Sequence, residues 1–363
     1  LQVAIVAPST RILGGQAVQA ARLLRSWQND PDVHAWLVPV NPTPPGPFAG
    51  LTRIKYVRTL VTQLLYWPLL LRELRKADVV HVFSAAYSSF LLAPLPAVLI
   101  ARLLGKPVVM NYRSGEAPDH LRRSAIARAT LRQVDGNAVP SRFLQDVFAG
   151  FGIAARIIPN IVDVERFRFR RRERLAPRVV STRNFETLYN IPCTLRAFRL
   201  LQERYPDAQL TLVGGGSQTD AVRALAAELG LSHVTFAGRV PPEDIWRYYA
   251  DADIYLQTPD IDNMPTSVLE AYASGCAVVS TKAGGVPAIV TDGLNGLLVP
   301  CDDHQAAADA MLRLLEDEAL ARRLVDAAFD GCSRYQWSAV RDQWLALYRD
   351  LAHPHLATAA TPA

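Results

Sequence analysis

Two carboxylates, Asp262 and Glu270, stand eight positions apart in the run Asp262-Asn-Met-Pro-Thr-Ser-Val-Leu-Glu270, which continues to Gly275. Pro265 suits the first turn of a helix and Gly275 suits its end, so a short helix is expected between them. The run follows an apolar stretch, 254–257, that reads as a strand. Thr266 and Ser267 then fall in the first helical turn, beside Met264 and Pro265. Free N–H groups and the positive dipole end attract phosphate there. Glu270 lies one turn further on, and its carboxylate can accept two hydrogen bonds from a ribose diol. The chemistry this spacing suits is the holding of a nucleoside diphosphate.

A second run, 277–287, reads as a strand ending in Gly284-Gly285-Val-Pro287, a turn in which backbone can approach a ligand closely. His81 ends an apolar run and is expected to be a satisfied core or rim histidine. The basic run 166–174 has only Phe167 and Phe169 as stacking platforms, so a solvated linker is expected there, not a nucleic-acid site. No Asp-x-Asp metal motif occurs where one would be needed.

Short Val- and Ile-rich runs alternate with helical patterns along the chain. Strands are expected at 3–7, 35–40, 79–83, 108–111, 136–139 and 155–158, and again at 179–182, 209–213, 235–237, 254–257, 277–281 and 296–299. Continuous apolar strands separated by helices indicate parallel sheets covered on both faces. The expected class is α/β, with two Rossmann-like, doubly wound units. Their boundaries fall at 1–165, a linker at 166–177, 178–335, a C-terminal helix at 336–352 that packs back toward the first unit, and a disordered Pro/Ala/Thr-rich tail at 353–363. Ligands of open α/β sheets bind beyond the carboxyl ends of the strands, so two such units would face one central cleft.

The 363 residues suit two domains, and 50% hydrophobic content suffices for a core in each. A net charge of +5 fits anionic partners such as nucleotide diphosphates or acidic headgroups, and is far from a nucleic-acid-binding composition. Cys193, Cys276, Cys301 and Cys332 form no C-x-x-C pair, which argues against zinc or a disulfide framework and for a reducing cytosol. The opening Leu1-Gln-Val-Ala-Ile-Val reads as a strand, and no signal peptide is expected. Apolar stretches at 60–71 and 90–110 are too short or too broken to span a bilayer. The segment 53–76 mixes Arg and Lys with Leu, Tyr and Trp. A buried amphipathic helix is expected, with membrane-surface contact as the alternative.

The run Asp262-x7-Glu270, followed by the Val-Val strand and Gly284-Gly285-Val286-Pro287, resembles the donor-binding motif of retaining glycosyltransferases of family 4. Other pieces fall in that family's order. Gly14-Gly15 resembles its N-terminal Gly-rich loop, and Arg183 its phosphate-binding arginine. Leu212-Val-Gly214-Gly-Gly216 resembles its Val-Gly-x-Gly turn, and Phe236-Ala-Gly-Arg239-Val240 the strand whose loop contacts the base. Ser141 and the 158–163 segment with Phe167 resemble the end of its first domain. The resemblance implies the GT-B fold and transfer of a sugar from a UDP- or GDP-linked donor to an acceptor hydroxyl, with retained configuration and without metal. The acceptor would be a glycan, a lipid or a small molecule. With the cysteine usage and the 53–76 segment, a cytoplasmic protein is expected, membrane association being the alternative.

In catalysis the resemblance implicates Asp262, Arg183 and Arg113. For the donor it implicates Gly14, Gly15, Gly214, Arg239, Val240, Met264, Pro265, Thr266, Ser267 and Glu270. This chain departs from the pattern at three points. Asp262 replaces a glutamate. No lysine follows Arg183, where Tyr189 or Asn190 would have to substitute. Arg113 stands where a histidine is usual, with Glu116 and His120 nearby as candidates to face the cleft. The alternatives are a protein that binds a nucleotide sugar without turnover, and a phosphorylase or epimerase on the same fold.

Overall fold

The computed structural model describes residues 1–10, 14–42, 55–84 and 86–353. The Pro-rich loop at 42–49 and the tail at 353–363 lie, but for Pro42 and His353, outside the described residues. So does the start of the 53–76 segment. Two compact units emerge: Leu1–Ile161 together with Val340–Ala363, and Val162–Ala339.

The first unit alternates strands and helices: β1 (Gln2–Ala7), α1 (Gly15–Ser26), β2 (His34–Pro39), α2 (Lys55–Leu74), β3 (Val79–Ser84), α3 (Tyr87–Leu92), α4 (Pro94–Leu103), β4 (Val108–Tyr112), α5 (Ala117–Arg123), α6 (Ala125–Gln133), β5 (Gly136–Val139), α7 (Arg142–Gly150) and β6 (Arg156–Ile157). The strands pair in the order β2-β1-β3-β4-β5-β6, all parallel. Every residue of β3 and β4 is buried, which explains why they read as unbroken apolar runs. Ala4, Val6, Val80, Val82, Val108 and Met110 share one core with the inner faces of α2, α4, α6 and α7, so these helices cover one face of the sheet. Ser124 and Ser141 start α6 and α7 by accepting from the N–H groups of Ala127 and Leu144.

The second unit contains β7 (Arg178–Ser181), α8 (Ile191–Arg204), β8 (Gln209–Val213), α9 (Thr219–Glu228), β9 (Val234–Gly238), α10 (Trp246–Asp251), β10 (Ile254–Gln257), α11 (Thr266–Ala273), β11 (Ala277–Thr281), β12 (Leu297–Val299), α12 (His304–Glu316) and α13 (Glu318–Asp330). Its sheet is parallel too, in the order β12-β11-β10-β7-β8-β9. The last helix, α14 (Trp337–Ala352), belongs from Val340 onward to the first unit. There Trp344 and Tyr348 pack on His81, and Arg341 bonds Asp30 and Asp32.

The expectation of a solvated stretch at 166–174 holds for Arg168, Arg171 and Arg174, which are exposed, and is corrected for Phe167 and Arg172. Phe167 is buried, and the Arg172 side chain is 3% exposed. Asp253, itself buried, accepts from Arg170 (2.9 Å), Arg172 (2.7 Å) and Arg178 (2.7 Å). Arg172 also donates to the carbonyls of Tyr249 and Ala252 at the end of α10, and of Ser274 and Gly275 at the end of α11. A cation is favoured at helix C-termini, where carbonyls lack intrahelical partners. Charge density alone could not separate this staple from a wet linker. The decisive partner, Asp253, stands 81 positions away from Arg172.

Candidate functional site

In the second unit, the ends of β7, β8, β9 and β10 and the start of α11 carry most of the residues singled out in the sequence. Pro265 caps α11 from an extended conformation, and a proline side chain offers no acceptor to the first-turn N–H groups. No acidic residue stands in that turn. Met264, Pro265 and Ser267 are buried, whereas Thr266 is half-buried.

Arg183 follows β7 and reaches this helix start. Its Nη1 donates to Ser267 Oγ (3.1 Å), and its Nη2 to Asp262 Oδ2 (2.5 Å). The guanidinium lies over the Tyr189 ring, 4.0 Å from the centroid. The Arg183 and Asp262 side chains are only 9% and 12% exposed. Burial works to lower the Arg183 pKa. The Asp262 carboxylate, together with Tyr189, Tyr255 and Tyr249, outweighs it and holds Arg183 above the ordinary arginine value. Asp262 is fixed in turn: its Oδ1 accepts from Asn263 N (2.8 Å), and its carbonyl accepts from Gly285 N (3.1 Å), which ties the Gly-Gly turn to the loop before α11.

Glu270 is buried, and its Oε2 accepts from Tyr249 OH (3.0 Å). That hydroxyl lies 2.6 Å from Thr182 Oγ1, at the end of β7. Burial and the Glu270 charge push the Tyr249 phenol well above its usual range, so it remains a donor. Beneath this pair, Gln257 Oε1 accepts from Tyr255 (3.0 Å) and Ser267 (3.4 Å), while its Nε2 donates to Ser280 Oγ (2.9 Å). Tyr249, Thr182 and Gln257 were not singled out in the sequence. The one signal for Tyr249 was an aromatic at a helix position facing the core, which reads equally as packing.

Gly214 has φ +154°, and a Cβ there would sit 2.1 Å from the Arg183 carbonyl oxygen. At Gly216 a Cβ would sit 2.4 Å from the Phe185 carbonyl oxygen. The glycines let the β8 turn lie against the backbone that carries Arg183. Arg239 is exposed and lies along Gly215, with the half-buried Val240 next to it.

Asn190 is not a substitute phosphate ligand. It caps α8, accepting from Cys193 N (3.2 Å), and its amide nitrogen donates to Asp260 (3.2 Å) and Asp302 (3.0 Å). Tyr189 contributes its ring face to Arg183.

In the first unit, Gly14 caps α1 in an extended conformation, and the space a Cβ would fill is open at both Gly14 and Gly15. Buried Gln19 on α1 makes two bonds with the Ile161 backbone, both 3.2 Å, and Arg22 adds a third (3.3 Å). The neighbouring Asn160 accepts from Arg113, whose guanidinium lies 5.4 Å from the Phe83 centroid. Desolvation lowers Arg113 to about 9, which leaves it cationic near neutral pH. His120 does not face a ligand site: it is buried, its Nδ1 is 2.8 Å from Tyr112 OH, and burial lowers its pKa. His81 is a core histidine between Tyr348 OH (2.7 Å) and Asn111 (2.9 Å). Burial, then the Arg113 charge, pushes its pKa down to about 3. Among the described residues, no group of three or more His, Cys, Asp or Glu is placed so that it could hold a metal ion.

Two Rossmann-like, all-parallel units define the fold class, and in the second an arginine stands at a helix start that no side chain caps. Residues 164–330 match the family profile "Glycosyl transferases group 1", and residues 13–166 match "Glycosyltransferase Family 4". The chain belongs to glycosyltransferase family 4. It is 36% identical over 165 residues to D-inositol 3-phosphate glycosyltransferase of Corynebacterium urealyticum, covering 43% of this chain and 39% of that one. It is 30% identical over 295 residues to the GDP-mannose-dependent alpha-(1-6)-phosphatidylinositol monomannoside mannosyltransferase of Mycobacterium tuberculosis, covering 74% of each. The match spans less than two thirds of the corynebacterial enzyme's length.

Among solved structures, sucrose-phosphate synthase from Thermosynechococcus elongatus superposes with a TM-score of 0.78 at 20% identity, over 96% of this chain and 98% of that one. HepE of Anabaena in complex with UDP gives 0.75 at 16% identity, over 97% and 100%. The fold is GT-B.

Proposed function

We propose that this chain is a retaining, metal-independent glycosyltransferase that moves a hexose from a nucleoside-diphosphate sugar to an acceptor hydroxyl. One observation carries the reading: Arg183, Ser267 and the capless first turn of α11 converge beside Asp262. A leaving diphosphate needs positive charge that is already in place. A buried guanidinium and an oriented helix start supply it without reorganisation.

Asp262 then receives hydroxyls of the donor sugar, and Glu270, steadied by Tyr249, receives the ribose diol. In this reading Arg239 and Val240 contact the base and Gly14 and Gly15 the phosphates; the open space at both glycines supports the latter. Arg113, held by Asn160, is the cation that would meet an acidic acceptor or a phosphate. It stays charged near neutral pH and is therefore no base. The departing phosphate takes the acceptor proton. The named relatives favour GDP-mannose as donor and an inositol phosphate or inositol lipid as acceptor, the latter at a membrane surface. The UDP bound to HepE keeps UDP sugars in the test.

The test offers GDP-mannose and UDP-glucose with inositol phosphate or phosphatidylinositol, with and without EDTA, and reads the product by mass spectrometry and its anomeric proton by NMR. An α-linked product formed equally with EDTA is expected. Inversion, or activity lost to EDTA and restored by Mg²⁺, would refute the stereochemical or the metal part. Donor binding without transfer or hydrolysis would refute turnover.

A further inference from the structure

Isolated exposed leucines are ordinary on protein surfaces. Here they are concentrated. Eight of the eleven exposed large hydrophobic side chains among the described residues fall on α2, α3 and α4 of the first unit. On α2, Leu60 (62% exposed), Leu64 (66%) and Trp67 (40%) recur at positions i, i+4 and i+7, one face of a helix. The neighbouring stripe, Tyr66, Leu70 and Leu74, is fully buried in the core. The apolar surface of the helix is therefore wider than the stripe that meets the core. On α4, Leu99 (49%) and Leu103 (75%) repeat the pattern above buried Ala97, Val98 and Ile100.

The two helices adjoin. Both helices pack on the same face of the sheet. Gln63 and Tyr66 of α2 donate to the carbonyls of Leu92 and Ala93 at the α3–α4 junction (2.9 and 3.0 Å). Contiguous exposed apolar surface of this kind marks a site of interaction.

Charge identifies what fits it. Between residues 55 and 106 stand seven Lys or Arg and two Asp or Glu, a formal +5 that equals the net charge of the whole chain. Of the two acids, Glu73 is covered by Arg72 (2.7 Å) and Lys76 (2.8 Å), and Asp78 accepts from Gln2 N. Since α2 and α4 both run into parallel strands, their C-terminal ends share one edge of the sheet. That edge gathers Arg72, Arg75, Lys76, Arg102 and Lys106 at one end of the apolar stripe. No helix among the described residues is long and apolar enough to cross a membrane.

We propose that the joined outer faces of α2, α3 and α4 dock the first unit on an anionic phospholipid bilayer, with leucines and Trp67 entering the interface and the basic edge lying on the headgroups. This gives a surface to the membrane setting proposed above and rests on that setting alone. Vesicle binding is read without donor or turnover, so the two fail separately.

The test is co-sedimentation of the full chain with vesicles of phosphatidylcholine, with and without phosphatidylglycerol. Binding is expected to the anionic vesicles only, and to fall as salt rises from roughly 0.1 M to about 0.5 M. The variant Leu64→Glu/Leu103→Glu should bind at least about tenfold more weakly. Leu294→Glu, an equally exposed leucine of the second unit, should bind as the parent does. Circular dichroism melts establish that each variant folds; should the double variant fail to fold, Arg72→Gln/Arg75→Gln replaces it, with weakened binding expected. Bromolipid quenching that disappears in Trp67→Phe would place that indole in the bilayer. Absence of binding, equal binding by variant and parent, or patch-dependent self-association in light scattering without vesicle binding would overturn the proposal; the last would make the face a contact between copies.

Discussion

Removing one charge from the candidate site should tighten nucleotide binding. Asp262 holds Arg183 at 2.5 Å, with both side chains nearly out of solvent. A diphosphate arriving at Arg183 meets the Asp262 carboxylate beside it. At an effective dielectric of about 20, two charges roughly 4 Å apart interact by about 4 kcal/mol. Asp262→Asn keeps an oxygen that can accept from Arg183 and removes the negative charge that competes with phosphate. Most of the gain is lost to weaker orientation of Arg183 and to solvent screening. A net gain of about 1 kcal/mol, roughly fivefold in Kd, is expected for UDP or GDP, which carry no sugar. Turnover should fall, because the sugar hydroxyls lose their anionic acceptor. Titration calorimetry with the nucleotide alone, beside initial rates with the donor, separates the two effects. If Asp262→Asn bound the nucleotide several-fold more weakly than the parent, competition would be the wrong description, and Asp262 would be a support for Arg183.

Tyr249→Phe removes the hydroxyl between Thr182 and Glu270; it should raise the donor KM about tenfold with little change in kcat, and an unchanged KM would deny Glu270 its ribose role. Arg172→Ala strips the staple from Asp253 and from the ends of α10 and α11, and should cost about 3 kcal/mol in urea unfolding, against a small loss for the exposed Arg171→Ala. His81 has its folded pKa depressed to about 3 from 6.5, so its stabilising contribution is whole above 6.5 and is lost as pH falls toward 3. Between about pH 7 and about pH 5 it should account for a loss of about 2 kcal/mol in the first unit, seen as a pH slope of the melting temperature that flattens in His81→Gln.

The two sheets were legible because their strands are buried on both faces and so read as unbroken apolar runs; β3, β4, β10 and β11 fall within a residue of expectation. The helix from Thr266 to Ala273 was legible because its end signals, Pro265 and Gly275, are local. What the sequence hid was long-range. Asp253 meets three arginines 75 to 83 positions away. Tyr249 meets Glu270 across two elements, and Gln19 meets Ile161 across 142 positions. Asn190 read as polar and available, whereas a left-handed backbone (φ 43°) commits it to a cap. Residue type announces donors and acceptors; only the fold decides which are already taken.

The division of the chain gives the first unit two separated stretches, and this orders its birth on the ribosome. Its six strands are complete by Ile157, yet Trp344 and Tyr348, which close over His81, emerge only after the whole second unit has been made. Until then Trp27 lacks the Tyr348 ring, and His81, already stacked on Phe83, lacks Trp344 and Tyr348. The second unit, one unbroken stretch, has no such wait, so the half made later is the one able to finish folding first.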